Sequence, residues 1–144
     1  MTILGSVYSA GRYVPLDMSE AFRWYIEAAR LGHAQAQYNV GDMYAYGKGV
    51  PKNFAEAFQW LAKAAAQGDV GALYMVGSMQ IEGHGTPQDR VSAYEYLSLA
   101  ANQGNERAGA ELVVLQFKMT PQEIEKAKTL ARAWTPRKTL NVPW

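Results

Sequence analysis

Apolar, aromatic and small residues recur along the chain at a constant spacing of 36 residues. A period of about 20 to 50 residues is the signature of a repeat array, in which each repeat is one supersecondary unit. The sequence therefore predicts tandem copies of one small motif. The positions that keep the spacing best are Gly5, Gly41 and Gly77; Ala21, Ala57 and Ala93; Trp24, Trp60 and Tyr96; and Gly32, Gly68 and Gly104.

Each repeat is predicted to contain two helices joined by a glycine-rich loop. In the second repeat, residues 34–46 are rich in helix formers, and the sequence Gly-Lys-Gly-Val-Pro at 47–51 then interrupts the helix. The second helix ends at Gly68, because glycine tolerates the left-handed conformation that terminates a helix. The predicted unit is therefore an antiparallel helical hairpin.

Polar residues mark the start of the second helix in each repeat. Asn53 is followed three residues later by Glu56, and Asp17 is followed by Glu20, which is the pattern of a capping box. Asp89 has no acidic residue at the third following position. The third repeat is therefore predicted to keep the N-cap alone.

Small residues are predicted to set the distance between the two helices of a hairpin. Gly41 in the first helix and Ala57 in the second lack bulky side chains, so the helices can approach closely. One hairpin cannot bury both of its faces, so neighbouring repeats must stack into a solenoid. Aromatic residues are expected at inward-facing positions, namely Tyr8, Trp24, Tyr44, Trp60 and Tyr96.

Three short motifs make up the repeat: Gly-x-x-Tyr, Gly-x-Gly-Val-Pro, and Ala-x-x-Trp-x-x-x-Ala-Ala-x-x-Gly. Over residues 1–108 they resemble the Sel1-like repeat family, a relative of the tetratricopeptide repeats (TPR) that is frequent in bacteria. The resemblance implies an all-α fold, a right-handed α-α superhelix (solenoid) of Sel1-like or TPR-like helical hairpins. It also implies an adaptor that binds other proteins.

A single repeat domain that ends in a C-terminal capping helix is predicted. Thr120, Pro121 and Glu123 start a last helix over 121–134, and this helix is expected to cover the apolar end of the stack. Residues 135–144 are predicted to form an irregular tail. The predicted domain covers 1–134, with repeats at about 1–36, 37–72 and 73–108 and a degenerate capping unit at 109–134.

Composition and motif content argue against several function classes. The 14 lysine and arginine residues balance 13 aspartate and glutamate residues, which leaves no broad positive field for nucleic acid. With no cysteine, and with His33 and His84 at non-equivalent repeat positions, we expect no metal site and no cofactor. The glycine pairs at 47–49 and 83–85 lack the third glycine and the preceding strand of a phosphate-binding loop.

Catalysis and membrane insertion are not expected either. No nucleophile motif occurs, so no catalytic residue is predicted, and an enzyme with an unrecognised site is kept as an alternative. The apolar run at 112–115 is far shorter than the ~18 residues of a membrane-spanning helix. The first residues lack a signal-peptide pattern, so the chain as given is expected to be cytoplasmic, or periplasmic if a signal was removed.

A partner-binding surface is predicted on the first helix of each repeat. In related solenoids this helix lines the concave curve, and residues beside Gly41 would face the groove. Tyr38 and Tyr74 are equivalent and are expected to form a ladder, since tyrosine is enriched at binding hot spots. The alternative is that these tyrosines only pack between adjacent first helices. The predicted set is Gln35, Tyr38, Asp42, Tyr46, Tyr74, Ser78, Glu82, Arg107, Val114 and Lys118, and Gly71 and Ala110 share its periodicity.

The predicted function is that of a non-catalytic adaptor or scaffold, a module for protein–protein interaction that binds a partner protein on the concave surface. Some relatives of the family suggest an alternative, an immunity protein that neutralises a secreted bacterial toxic effector. The chain is expected to act as a monomer or a weak homodimer.

Overall fold

The computed structural model describes residues 17–136. The predicted repeat positions Gly5 and Tyr8, and the predicted tail from residue 137 onward, lie outside this range. Within residues 17–136 the chain forms α-helices and no strand. The helices are α1 (Met18–Arg30), α2 (Ala34–Tyr46), α3 (Phe54–Ala66), α4 (Val70–Glu82), α5 (Arg90–Asn102), α6 (Glu106–Gln116) and α7 (Pro121–Ala133).

The helices pack in the order of the chain. α2 and α3 form one hairpin and α4 and α5 form the next, and these two pairs have the most extensive helix contacts. The packing of α1 on α2, of α3 on α4 and of α5 on α6 joins neighbouring hairpins. The prediction of an all-α helical repeat solenoid is confirmed.

Both complete hairpins contain the close helix crossing that the glycine positions predict. A Cβ atom added to Gly41 would lie 2.5 Å from Leu61 Cγ and 3.2 Å from the Ala57 carbonyl oxygen. A Cβ atom added to Gly77 would lie 2.8 Å from Leu97 Cγ. Leu61 and Leu97 are fully buried, so each leucine fills the space that a glycine leaves open.

Alanine and leucine form most of the core, and the predicted inward-facing aromatic residues lie at its edges. Tyr25 and Tyr94 are the buried aromatic side chains in the described range. Trp60 is half-buried, with the Lys63 ammonium 4.7 Å from its ring centre. The repeat period identifies positions that pack between helices, but a side chain as large as tryptophan is rarely buried completely. The half-buried members of the predicted set are Trp24, Tyr44, Trp60 and Tyr96.

The second helices begin at the predicted N-caps. The reciprocal bond of a capping box does not form at Asn53, because its N–H donates to the Tyr44 carbonyl oxygen at 2.8 Å. Near Asp17, the Glu20 carboxylate instead pairs with Arg23 at 2.8 Å. The side chains that accept a hydrogen bond from the backbone N–H three residues later are Asp17, Asn53 and Asp89.

Contacts between repeats explain the glycine-rich loops. Gly49 and Gly85 have left-handed backbone conformations, with φ angles of +76° and +72°. A Cβ atom would collide with the backbone of the preceding repeat, at the Met18 carbonyl for Gly49 and at the Phe54 carbonyl for Gly85. The loop glycines therefore permit close packing between repeats.

The C-terminal helix covers one side of the stack. Thr120 and Glu123 form the predicted capping box at the start of α7, with both reciprocal hydrogen bonds present. α7 packs mainly on α5 and does not complete a hairpin with α6. As a result Val113, at the repeat position of the crossing glycine, is 58% exposed, and Phe117 after α6 is 87% exposed.

Gly41→Ala is expected to lower the free energy of unfolding by about 1 to 3 kcal/mol, because the new methyl group overpacks the contact with Leu61. Urea denaturation followed by circular dichroism measures this change. Gly109→Ala is the matched control, since a Cβ at this helical position meets no atom within 4 Å. The control should be neutral or more stable by up to about 1 kcal/mol. Equal effects of the two substitutions would contradict the close crossing.

Gly85→Ala is expected to destabilise the protein more than Gly104→Ala. Both glycines have positive φ angles, +72° and +96°, so both substitutions place alanine in a left-handed conformation at a cost of about 1 to 2 kcal/mol. Only at Gly85 does the methyl group also collide with the preceding repeat, because at Gly104 it meets nothing within 4 Å. Thermal unfolding measures both variants. A smaller loss of melting temperature for Gly85→Ala would refute the role of this loop in joining repeats.

Candidate functional site

The first helices of successive repeats, α2, α4 and α6, form the sides of an open cavity of about 330 Å³. Its walls include Tyr46 from α2, Tyr74 and Ser78 from α4, and Glu111 from α6. Met75 contributes to its apolar part. We call the accessible side of α2, α4 and α6 the groove face.

All ten residues that were predicted to bind a partner are at least partly accessible. The half-buried ones are Tyr38, Asp42, Tyr74 and Ser78. The exposed ones are Gln35, Tyr46, Glu82, Arg107, Val114 and Lys118. The cavity brings together four of the ten, which are Tyr46, Tyr74, Ser78 and Glu82.

The two equivalent tyrosines, Tyr38 and Tyr74, make different contacts. The Tyr38 ring packs over Gly71, where an added Cβ would lie 2.9 Å from Tyr38 Cε1. Burial raises the pKa of the Tyr38 hydroxyl, and the nearby carboxylates of Asp42 and Asp69 raise it further. The Tyr38 ring therefore contacts the adjacent first helix, α4, and its role in binding a partner stays a prediction.

Tyr74 and Ser78 hold a carboxylate that the sequence pattern did not identify. Tyr74 Oη donates a hydrogen bond to Glu111 Oε1 at 3.2 Å, and Ser78 Oγ donates one to Glu111 Oε2 at 2.8 Å. Glu111 stands four residues after Arg107 and three before Val114, so helical geometry places these three side chains on one face. The repeat period passes over Glu111 because the equivalent residues of the earlier repeats are not acidic.

One rim of the cavity is a stack of charged and aromatic side chains. Lys52 Nζ lies 4.6 Å from the centre of the Phe54 ring, and the Phe54 and His84 rings are stacked with their centroids 4.6 Å apart. His84 Nδ1 lies 3.1 Å from a Glu82 carboxylate oxygen. The rim joins the loops of successive repeats and places charged groups beside an apolar wall.

A second, mainly apolar cavity of about 300 Å³ lies beside the first, between α4 and α6. Glu111 borders both cavities. The predicted residues Val114 and Lys118 belong to this second cavity, so the predicted set is divided between the two. The other residues that line it are Ile81, Ala110 and Leu115.

The groove face offers groups for binding. Within residues 17–136, no three histidine, aspartate or glutamate side chains come together as ligands for a metal ion. None of the helices described for this range has both the length and the apolar character needed to cross a membrane. Aromatic rings, hydroxyl groups and separate charges suit the recognition of another molecule's side chains.

The repeat unit is a known one. The Sel1 repeat matches the chain three times, at residues 1–33, 34–69 and 70–105. The second and third matches begin at the first residues of α2 and α4. No curated protein matches the chain.

Two solved structures resemble the chain closely. One is a protective antigen present in uropathogenic Escherichia coli strains that displays an SLR fold. It has a TM-score of 0.84 and 28% identity, over 92% of this chain and 28% of the antigen. The other is a Sel1 repeat protein from Oxalobacter formigenes, with a TM-score of 0.74 and 36% identity, over 77% of this chain and 46% of that protein. The chain thus spans less than half the length of either protein.

Sel1 repeats are typically protein–protein interaction modules, and proteins with this fold are generally non-catalytic. The three consecutive matches cover well over half of the chain. The chain belongs to the Sel1 repeat family.

Proposed function

We propose that the chain is a non-catalytic adaptor that binds a segment of a partner protein on the groove face. The observation that carries this proposal is the cavity of about 330 Å³ between α2, α4 and α6, which combines apolar walls with a few fixed polar groups. Recognition sites commonly have this composition, because apolar contacts supply affinity and the polar groups fix orientation.

The groove face differs between repeats while the packing residues stay nearly constant. Tyr46 of α2 corresponds to Glu82 of α4 and to Lys118 after α6. The crossing position, by contrast, is glycine in both complete hairpins, at Gly41 and Gly77. Packing constrains the crossing positions, whereas the groove-face positions are free to match a partner.

Tyr46 has the properties of a binding hot spot. It is 63% exposed and lines the cavity. Lys48 Nζ lies 5.4 Å from the centre of its ring, so one face of the ring already has a cation beside it. Tyrosine offers a large contact area at a low cost in conformational entropy. A partner that covers Tyr46 gains this area without disturbing the core.

The two alternatives place different demands on this surface. An immunity protein that neutralises a toxic effector would use the same kind of groove, so it differs from an adaptor in the identity of its partner. An enzyme would need an available nucleophile or acid–base pair. Hydrogen bonds link Tyr74 and Ser78 to Glu111, and Glu82 lies beside His84, but proteins with this fold are generally non-catalytic. We therefore favour the adaptor.

Replacing Tyr46 and Tyr74 together by alanine is expected to weaken partner binding by about 2 kcal/mol or more, or about 30-fold in Kd, as is typical of hot-spot residues. The partner is isolated from the native host by affinity capture, identified by mass spectrometry and purified. Isothermal titration calorimetry then compares its affinity for the wild-type chain and for the double variant.

Leu31→Ala is the control for this experiment. Leu31 is 71% exposed just after α1 and lines neither cavity, so its replacement should leave the affinity unchanged. Circular dichroism checks that both variants are folded. Wild-type affinity of a folded double variant would show that the partner binds elsewhere. Capture of a toxin that the chain inhibits would favour the immunity protein over the adaptor.

A further inference from the structure

Glu111 holds a fixed carboxylate at the boundary between the two cavities of the groove face. Its two oxygens each accept one hydroxyl hydrogen bond, from Tyr74 at 3.2 Å and from Ser78 at 2.8 Å. A carboxylate oxygen has two lone-pair sites, so each oxygen keeps one site for a further donor. The two hydroxyl groups thus orient the carboxylate without using up its capacity to accept hydrogen bonds.

No ion pair in the described part of the chain includes Glu111. Hydroxyl groups are neutral, so they orient the carboxylate without neutralising its charge, and neither Lys52 nor Lys118, which line the two cavities, forms an ion pair with it. Arg107 lies one turn earlier on α6, and an arginine that precedes a glutamate by four residues is in the less favourable order for pairing on a helix. The carboxylate is directed toward α4, where it meets Tyr74 and Ser78.

We propose that Glu111 determines the specificity of the groove face by pairing with an arginine side chain of the bound segment. This inference rests on the proposed function, since it assigns the partner's chemistry at the same surface. A guanidinium group presents parallel N–H donors that match the two oxygens of a carboxylate, and such charge-assisted pairs are among the stronger hydrogen bonds in proteins. Tyr74 and Ser78 are positioning residues for this pair.

The residues that line the two cavities indicate which side chains flank the arginine of the bound segment. The first has Tyr46 and Met75 in its walls, and the second has Ile81 and Val114. Because Glu111 borders both cavities, a segment whose arginine pairs with it brings its neighbouring side chains over both. The favoured partner is therefore a protein segment in which one arginine is flanked on both sides by apolar residues.

The test uses short random peptides displayed on phage and selected on the immobilised full chain, with Tyr46→Ala protein for counter-selection. The selected peptides are expected to share an arginine between apolar residues. The best peptide is then synthesised in two forms, one with arginine and one with citrulline, its neutral isostere. Calorimetry should show that citrulline weakens binding to the wild-type chain by about tenfold or more.

Variants of the chain show whether the lost affinity arises at Glu111. Glu111→Gln should lower the affinity for the arginine peptide by about tenfold and leave the affinity for the citrulline peptide nearly unchanged. Tyr74→Phe keeps the ring and removes the hydroxyl group. It should lower the affinity for the arginine peptide alone, because Tyr74 acts on binding by orienting the Glu111 carboxylate. Glu125→Gln makes the same chemical change at an exposed position on α7 and should have no effect. If Glu111→Gln does not fold, the citrulline comparison on the wild-type chain is the deciding measurement.

The outcomes separate this inference from the proposed function. Peptides that depend on Tyr46 but bind equally well with citrulline would overturn the arginine pairing and leave the groove face in place as a binding surface. Equal weakening of both peptides by Glu111→Gln would also overturn it, because Glu111 would then be only structural. A selection in which every peptide binds Tyr46→Ala as tightly as the wild-type chain would overturn the proposed surface itself.

Discussion

The close contact between a helix glycine and a leucine of the following helix is the constraint on which the rest of the structure depends. Gly41 against Leu61, and Gly77 against Leu97, bring the two helices of each hairpin close together, with the leucine side chain filling the space that the glycine leaves open. The hairpins then stack through the packing of α3 on α4 and of α5 on α6. This arrangement uses one side of α2 and α4 for packing and leaves the other side accessible as the groove face.

Packing and the proposed recognition of a partner therefore use different sides of the same helices. In α2, Val40 and Gly41 are buried, whereas Tyr46 at the end of the helix is exposed. Surface substitutions away from packing features usually change stability by less than about 0.5 kcal/mol. The groove face can change its chemistry while the fold is kept, which suits a family whose members bind proteins.

The architecture could be predicted from the sequence because every repeat meets similar neighbours, so the glycines at the crossing and in the loops recur with the period. The contacts of the groove face could not be predicted from the sequence. Tyr38 packs over Gly71, but the equivalent position in the next repeat is Arg107, and there Tyr74 bonds to Glu111 instead. A period identifies what the repeats share, whereas these contacts arise from single residues in which they differ. The packing of α7 on α5 was missed for the same reason, since no earlier repeat contains that contact.

On the proposed function, the same differences would give a bound segment one defined register on the groove face. A groove built from identical repeats would accept a bound segment in several positions, each shifted by one repeat. Here Met75 stands at the position that Glu111 holds in the next repeat, and Tyr46 stands at the position of Glu82. A segment shifted by one repeat toward the N-terminus would place its arginine against Met75, and a segment shifted the other way would place the side chain that contacts Tyr46 against Glu82. Burying an unpaired charge costs more than an apolar contact contributes, so the differences between repeats on the groove face would disfavour the shifted registers.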